Sequence, residues 1–188
     1  MTKEVFEIVF HARSGQGSKT AAQFLAESAL SEGKEVQAFA NFGAERAGAP
    51  MQTFTRISSK EIRTHEPVLQ ADLAVVLDET LIGSINVCGI LKKNGWLMIN
   101  SRRKAEEIKK QLKCSQKVKV IDATGISLNI TGKGFPNMPL LGAISKLTNI
   151  VKIKSIEESI KKKYLGKLGK EMTLKNIESL KKGFEVME

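Results

Sequence analysis

The sequence predicts an α/β fold: a doubly wound, mostly parallel sheet with helices on both faces, plus a C-terminal helical extension. Three observations carry that prediction. Apolar, β-rich stretches alternate with stretches of helical period as far as residue 125. The continuous apolar run from Leu73 to Leu77 reads as a parallel strand covered on both faces. The chemically unusual residues gather just after the predicted strands, where open α/β sheets bind ligands.

The elements follow in order. Residues 5–12, VFEIVFHA, alternate in polarity and predict a strand. In the next stretch Ala22, Leu25, Ala26 and Ala29 fall at helical spacing, and Gly33 is a natural stop. Residues 35–40, EVQAFA, predict a second strand. The chain thus opens strand–turn–helix–strand, the start of a βαβ unit. Residues 51–58 predict another strand and 59–67 a hairpin excursion. The apolar run ending at Asp78 predicts a strand, and residues 80–95 a helix stopped by Gly95. Residues 96–100 predict a strand, 102–113 a short charged helix and 117–124 a last strand, again with an acid at its end. Residues 131–150 begin as a Gly/Pro loop and turn helical near Pro139.

The tail predicts two amphipathic helices. The first opens with Ser155 and Glu158 as a capping box and lines up Ile156, Ile160 and Tyr164. The second lines up Leu174, Ile177, Leu180 and Phe184. Both carry Lys-rich outer faces, which suit either solvated packing on the body or a clamp on a partner subunit. The 188 residues predict one domain, with an α/β body over 1–150 and the helical tail over 151–188.

Composition narrows the function classes. No stretch approaches the roughly 18 apolar residues of a membrane helix, and the N-terminus lacks a signal-peptide core; a cytoplasmic protein without membrane attachment is expected. Cys88 and Cys114 are far apart and in no metal-like spacing, so neither a disulfide framework nor a zinc site is predicted. They read instead as a small buried hydrophobe and a helix-end residue. An iron–sulfur cluster carried by this chain alone would want four thiolates. With two histidines, no Ser-His-Asp, Cys-His or metal arrangement can be drawn, so no catalytic residue and no metal ligand is assigned. Asp78-Glu79 could be a paired carboxylate or the cap of the element that follows. A net charge of +10 attracts anions: nucleic acid, phosphorylated cofactors or acidic subunits. The 5% aromatic content supplies few stacking platforms, which argues against single-stranded nucleic acid.

Three loops carry the chemistry that remains. The first is Arg13, Ser14, Gly15, Gln16, Gly17, Ser18 and Lys19. Its spacing is wrong for a nucleotide-hydrolysing phosphate loop, which needs four residues between its glycines. Thr20 stands where the dinucleotide fingerprint has its third glycine, and Asn41 where it has an acid. What survives is a glycine turn leading a strand into a helix, whose first amides and dipole accept an anion. The second loop is residues 41–51, NFGAERAGAPM, with its Glu45–Arg46 pair. The third is residues 133–143, KGFPNMPLLGA, with Asn137 between prolines.

The three loops together resemble the 2-oxoacid:acceptor oxidoreductases, specifically the gamma subunit of pyruvate:ferredoxin oxidoreductases. HARSGQG matches that family's usual HGRGGQG, with Ala12 and Ser14 in place of glycines. Gly43 to Pro50 matches GAER-x-GAP. LDET at 77–80, DAT at 122–124 and PN-x-P-x-LGA at 136–143 also look like that family. The resemblance implies a subunit that is not catalytic alone and binds no cofactor by itself. Thiamine diphosphate, magnesium and iron–sulfur clusters would lie in other subunits, with coenzyme A as co-substrate. Its partners would be the alpha, beta and delta subunits and, through the complex, ferredoxin. Arg13, Ser14, Gly15, Gln16, Gly17 and Lys19 would face coenzyme A. Gly43, Glu45, Arg46, Gly48, Pro50 and Asn137 would face neighbouring subunits. The same role in a 2-oxoisovalerate, 2-oxoglutarate or indolepyruvate enzyme is the alternative; a stand-alone nucleotide- or nucleic-acid-binding protein is a rival of another class.

Overall fold

The computed structural model describes residues 5–42, 48–64 and 66–187. Six strands form one mixed sheet in the order β2-β3-β1-β4-β5-β6. They are β1 Val5–Arg13, β2 Glu35–Phe42, β3 Pro50–Ser58, β4 Ala71–Val76, β5 Leu91–Asn100 and β6 Lys117–Ile121. The helices are α1 Ser18–Ser31, α2 Ala105–Leu112, α3 Ala123–Thr131, α4 Asn137–Thr148 and α5 Ile153–Glu185, with a 3₁₀ turn at Glu79–Gly83.

The predicted parallel order holds for β1, β4, β5 and β6. It fails at β3, which runs antiparallel between β1 and β2. The connection from β2 to β3 is too short for the crossover that a parallel pair needs, so the chain doubles back. The opening βαβ unit is therefore split by an inserted strand.

Alternation along the strands builds two cores. Ile8, Phe10, Leu73, Val75 and Met98 face α1, α4 and α5. Val9, Ala74, Val76, Leu97 and Ile99 face the 3₁₀ turn and α2, with Leu81 and Ile108. Every residue of β4 is buried, as its unbroken apolar run predicts.

Three local departures have physical reasons. Residues 84–95 do not continue as a helix, because Asn86 accepts the Gly89 amide at 2.9 Å and turns the chain. β5 then begins early, at Leu91, and Gly95 lies inside it where the register with β4 slips. Helix α3 was not predicted: Thr, Gly, Ser and Asn depress its propensity, yet the Asp122 side chain accepts from the Gly125 amide and caps it.

The tail is a pair of helices broken at Gly169, whose φ of 77° lies in the left-handed region. The predicted capping box does not form, since the helix starts at Ile153, ahead of Ser155. Glu32 serves that end instead, accepting from the Lys152 amide at 2.7 Å. Ile156 and Ile160 are buried, and Tyr164 meets Phe24 edge-on at 5.1 Å. In the second half Ile177 and Leu180 are buried as predicted, but Thr173, Ser179 and Gly183 take the other inward places and Leu174 is exposed. Gly142 and Gly183 allow this close crossing, because an added Cβ would strike the carbonyls of Leu180 and Pro139 respectively.

The reading of two unbonded cysteines is corrected. Cys88 and Cys114 form a disulfide with Cα atoms 5.9 Å apart. One lies in the connection into β5 and the other just beyond α2, elements that pack together on the second face. Their separation of 26 residues held no sign of that proximity.

Candidate functional site

Five of the six strands end their run at one edge together with the amino ends of α1, α3 and α4: this carboxyl edge gathers the glycine turn, the 3₁₀ turn and residues 48–50. Strand β1 ends at Arg13, and Gly15 and Gly17 take φ of 96° and 86°. Only glycine enters that region freely, so both glycines of the turn are required by its shape. Ala12 lies within β1, and Lys113 and Asn149 are the non-glycine residues with positive φ among those described. Neither Ala12 nor Ser14 is strained by replacing glycine.

Gln16 folds the turn. Its Oε1 accepts from the Arg13 amide at 2.8 Å, while its own amide donates to the Arg13 carbonyl at 3.2 Å. The Gln16 Nε2 donates to Asp78 Oδ2 at 2.8 Å. Arg13 turns inward as well. Its Nε and Nη2 donate to Thr80 Oγ1 at 3.2 and 2.9 Å, and its Nη1 donates to the Gly48 carbonyl at 3.1 Å. Its Nε also lies 3.3 Å from Asp78 Oδ2. The Ser14 amide donates to the Ala49 carbonyl at 3.1 Å. Arg13 and Gln16 thus tie the first predicted loop to the second and to the end of β4.

Asp78 and Thr80 are the residues that sequence reasoning left out of the site. Asp78 Oδ1 accepts from the Thr80 amide at 2.9 Å and from its hydroxyl at 2.6 Å. Desolvation pushes the Asp78 carboxyl up, but bonds from Thr80 and Gln16 and the Arg13 charge outweigh it and hold the group below its ordinary range. Glu79 turns away to Arg103, with 3.2 Å between Nη1 and Oε1, so the two acids do not form a carboxylate pair. The available signal was an acid at the end of a parallel strand, flanking the topological switch.

The remaining predicted residues separate. Gly17 is the N-cap of α1, with no side-chain cap and no acid in the first turn. Ser14 and Gly15 are exposed, and Lys19 edges an open groove with Gln23, Phe39 and Thr53. Asn137 is buried against Gly17, where an added Cβ would lie 2.7 Å from its Nδ2. The third loop therefore meets the first directly, and Asn137 braces the turn. Gly48 and Pro50 are exposed beside it. Gly43, Glu45 and Arg46 lie outside the described residues. Behind the turn, Asn100 donates from Nδ2 to the Leu77 carbonyl and to Thr124 Oγ1, both at 2.8 Å, and joins three strand ends. Among the described residues no group of three His, Cys, Asp or Glu side chains is placed to hold a metal. No helix among them is long and apolar enough to cross a membrane.

Fold and edge define a mixed-sheet α/β domain that presents a glycine turn at an uncapped helix end. The chain belongs to the pyruvate ferredoxin/flavodoxin oxidoreductase family, whose model matches residues 7–186. The pyruvate/ketoisovalerate oxidoreductases common subunit gamma of Thermococcus litoralis is 45% identical over 96% of both chains. The pyruvate synthase subunit PorC of Methanocaldococcus jannaschii is 43% identical over 88% of this chain and 90% of its own. The crystal structure of the pyruvate oxidoreductase subunit PORC from Thermotoga maritima superposes with a TM-score of 0.87. It is 41% identical and covers 97% of each chain.

Proposed function

We propose that this chain is the gamma subunit of a multi-subunit pyruvate:ferredoxin oxidoreductase and that its Gly-Gln-Gly turn forms part of the coenzyme A-facing side of the active site. In that reaction pyruvate and coenzyme A become acetyl-CoA and carbon dioxide, and the electrons pass to ferredoxin. The family and the named relatives support the subunit role. One observation carries the site: the first turn of α1 has neither a side-chain cap nor an acid, and it opens beside exposed Ser14 and Gly15. Helix-start amides that no side chain caps, together with the dipole, suit the phosphates of coenzyme A. Lys19 adds positive charge beside them.

Within this reading, Arg13 and Gln16 shape the turn, while Ser14, Gly15, Gly17 and Lys19 supply its outward surface. Gly43, Glu45, Arg46, Gly48 and Pro50 order the adjoining loop against alpha or beta, and Asn137 braces the turn from behind. Thiamine diphosphate, magnesium and the iron–sulfur clusters belong to the alpha, beta and delta subunits. This chain's own thiols suit no cluster, since both are committed to the disulfide. A second reading is favoured by the relatives named as common to pyruvate and ketoisovalerate enzymes. The same chain would then also serve a branched 2-oxoacid oxidoreductase.

The test of the site is Gly15→Val in the assembled enzyme. Nothing lies within 4 Å of an added Cβ there, but the φ of 96° is one that a β-branched residue does not adopt. The coenzyme A KM rises about tenfold while pyruvate KM holds. An unchanged coenzyme A KM removes the turn from that role.

A further inference from the structure

We propose that Asp78 is a positioning residue for the coenzyme A step, holding the Gly-Gln-Gly turn in its open shape through Gln16 and Arg13. The inference rests on the reading of that turn given above. It goes beyond it by naming the group on another strand that fixes the turn.

The two oxygens of Asp78 divide the work. Oδ1 takes the amide and hydroxyl of Thr80, which fixes the carboxylate on the first residues of the 3₁₀ turn. Oδ2 takes Gln16 Nε2 and lies beside Arg13 Nε. Thr80 Oγ1 donates to Asp78 and accepts from Arg13, so the cluster closes on itself. Among the described residues, the groups bonded to the carboxylate are all donors. The orientation of the Gln16 amide is set as well, because its oxygen already receives the Arg13 amide. A single acceptor on β4's end thereby fixes a turn on β1's end, and through Arg13 it also holds Gly48. The bonds of Asp78 go to Thr80, Gln16 and Arg13, and its effect reaches the exposed Ser14 and Gly15 through the turn's backbone.

The structure also says what a near-isosteric change does. Asparagine keeps the volume of Asp78 but turns one acceptor into a donor. Whichever way its amide is set, a donor then faces either Thr80 or the Gln16–Arg13 side. Gln16 cannot reverse to compensate without giving up its bond from the Arg13 amide. The turn is then released while the strands beneath, whose core packing is apolar, stay in place.

The experiment is steady-state kinetics of the assembled enzyme carrying Asp78→Asn, with Asp78→Glu and Glu79→Gln beside it. Asp78→Asn raises the coenzyme A KM about tenfold and leaves kcat and pyruvate KM within about twofold. Asp78→Glu recovers part of the loss because it keeps the acceptors. Glu79→Gln leaves the coenzyme A KM unchanged, since Glu79 pairs with Arg103 and not with the turn. If Asp78→Asn prevents assembly, Thr80→Val removes one member of the same cluster and must raise the coenzyme A KM. A coenzyme A KM untouched by Asp78→Asn, with Gly15→Val still raising it, overturns the positioning role alone. If both variants leave it unchanged, the reading of the turn fails and this inference with it. A fall of kcat in step with a lowered melting temperature, without a selective change in coenzyme A KM, also overturns it by making Asp78 merely structural.

Discussion

His11 stands two residues before the turn, on the face of β1 opposite Phe10, and is 2% exposed. Its Nδ1 lies 3.4 Å from Gln52 Nε2, and its Nε2 has no hydrogen-bond partner among the described residues. Burial lowers its pKa from 6.5 to about 4. At neutral pH the imidazole is neutral in both folded and unfolded chains, so its contribution is fully present. Between pH 6.5 and about 4 the unfolded chain binds a proton that the folded chain refuses, and stability falls as pH falls through that window. The loss attributable to His11 reaches about 3 kcal/mol at the acid end. Urea unfolding at pH 7, 6, 5 and 4 measures it: His11→Phe flattens the curve across that window relative to the unaltered chain. Equal slopes in the two would show that the histidine does not carry the effect. Asp78 and Glu32, both held below their ordinary range, begin to lose their contribution only near the acid end of this window, so its upper part reads His11. At this scale the sequence revealed glycines, charges and strand-end acids. It did not reveal that Arg13 and Gln16 point inward, because a side chain's partner on a strand distant in sequence is set by the sheet order.

Among elements, those marked by strong period or composition were legible: β1, α1, β4, α2 and the broken α5. Those governed by partners were not. The sequence of β3 looks the same whether the strand runs parallel or antiparallel, and only the short link from β2 decides. Helix α3 depends on a cap from Asp122 and on packing against α4 and α5, against its own weak propensity. The disulfide belongs to the same scale, since it joins the connection before β5 to the connection after α2. Closing a loop of this length stabilises by about 3.5 kcal/mol in the chain-entropy model. Replacing both cysteines with alanine lowers the melting temperature by roughly 7–14 °C. Thiol alkylation with and without prior reduction, read by mass, checks the bond itself: protection of both cysteines before reduction is the expected result, and labelling of both would contradict it.

For the whole molecule, a net charge of +10 on a chain whose long α5 carries lysines outward suits an assembly with anionic partners and substrates. Lys163 and Lys181 are drawn to Glu27 and Glu157, so part of that charge is spent on seating the tail. The three glycine-rich loops were visible as separate stretches before any fold was known. Strand ends led to the expectation that the first two lie at one edge; the third, inside a Gly/Pro loop before a helix, gave no such sign. In the structure Gly17 meets Asn137, and Ser14 meets Ala49, so the three stretches form one edge. On the proposed reading the chain acts as one subunit of a larger enzyme. The most direct measurement is therefore recovery of the tagged chain at native abundance, followed by identification of what comes with it and assay with pyruvate, coenzyme A and ferredoxin. The expected result is a complex that holds a thiamine-dependent enzyme and a cluster-bearing chain and that forms acetyl-CoA. Recovery of the chain alone, at low salt as well as high, would contradict it.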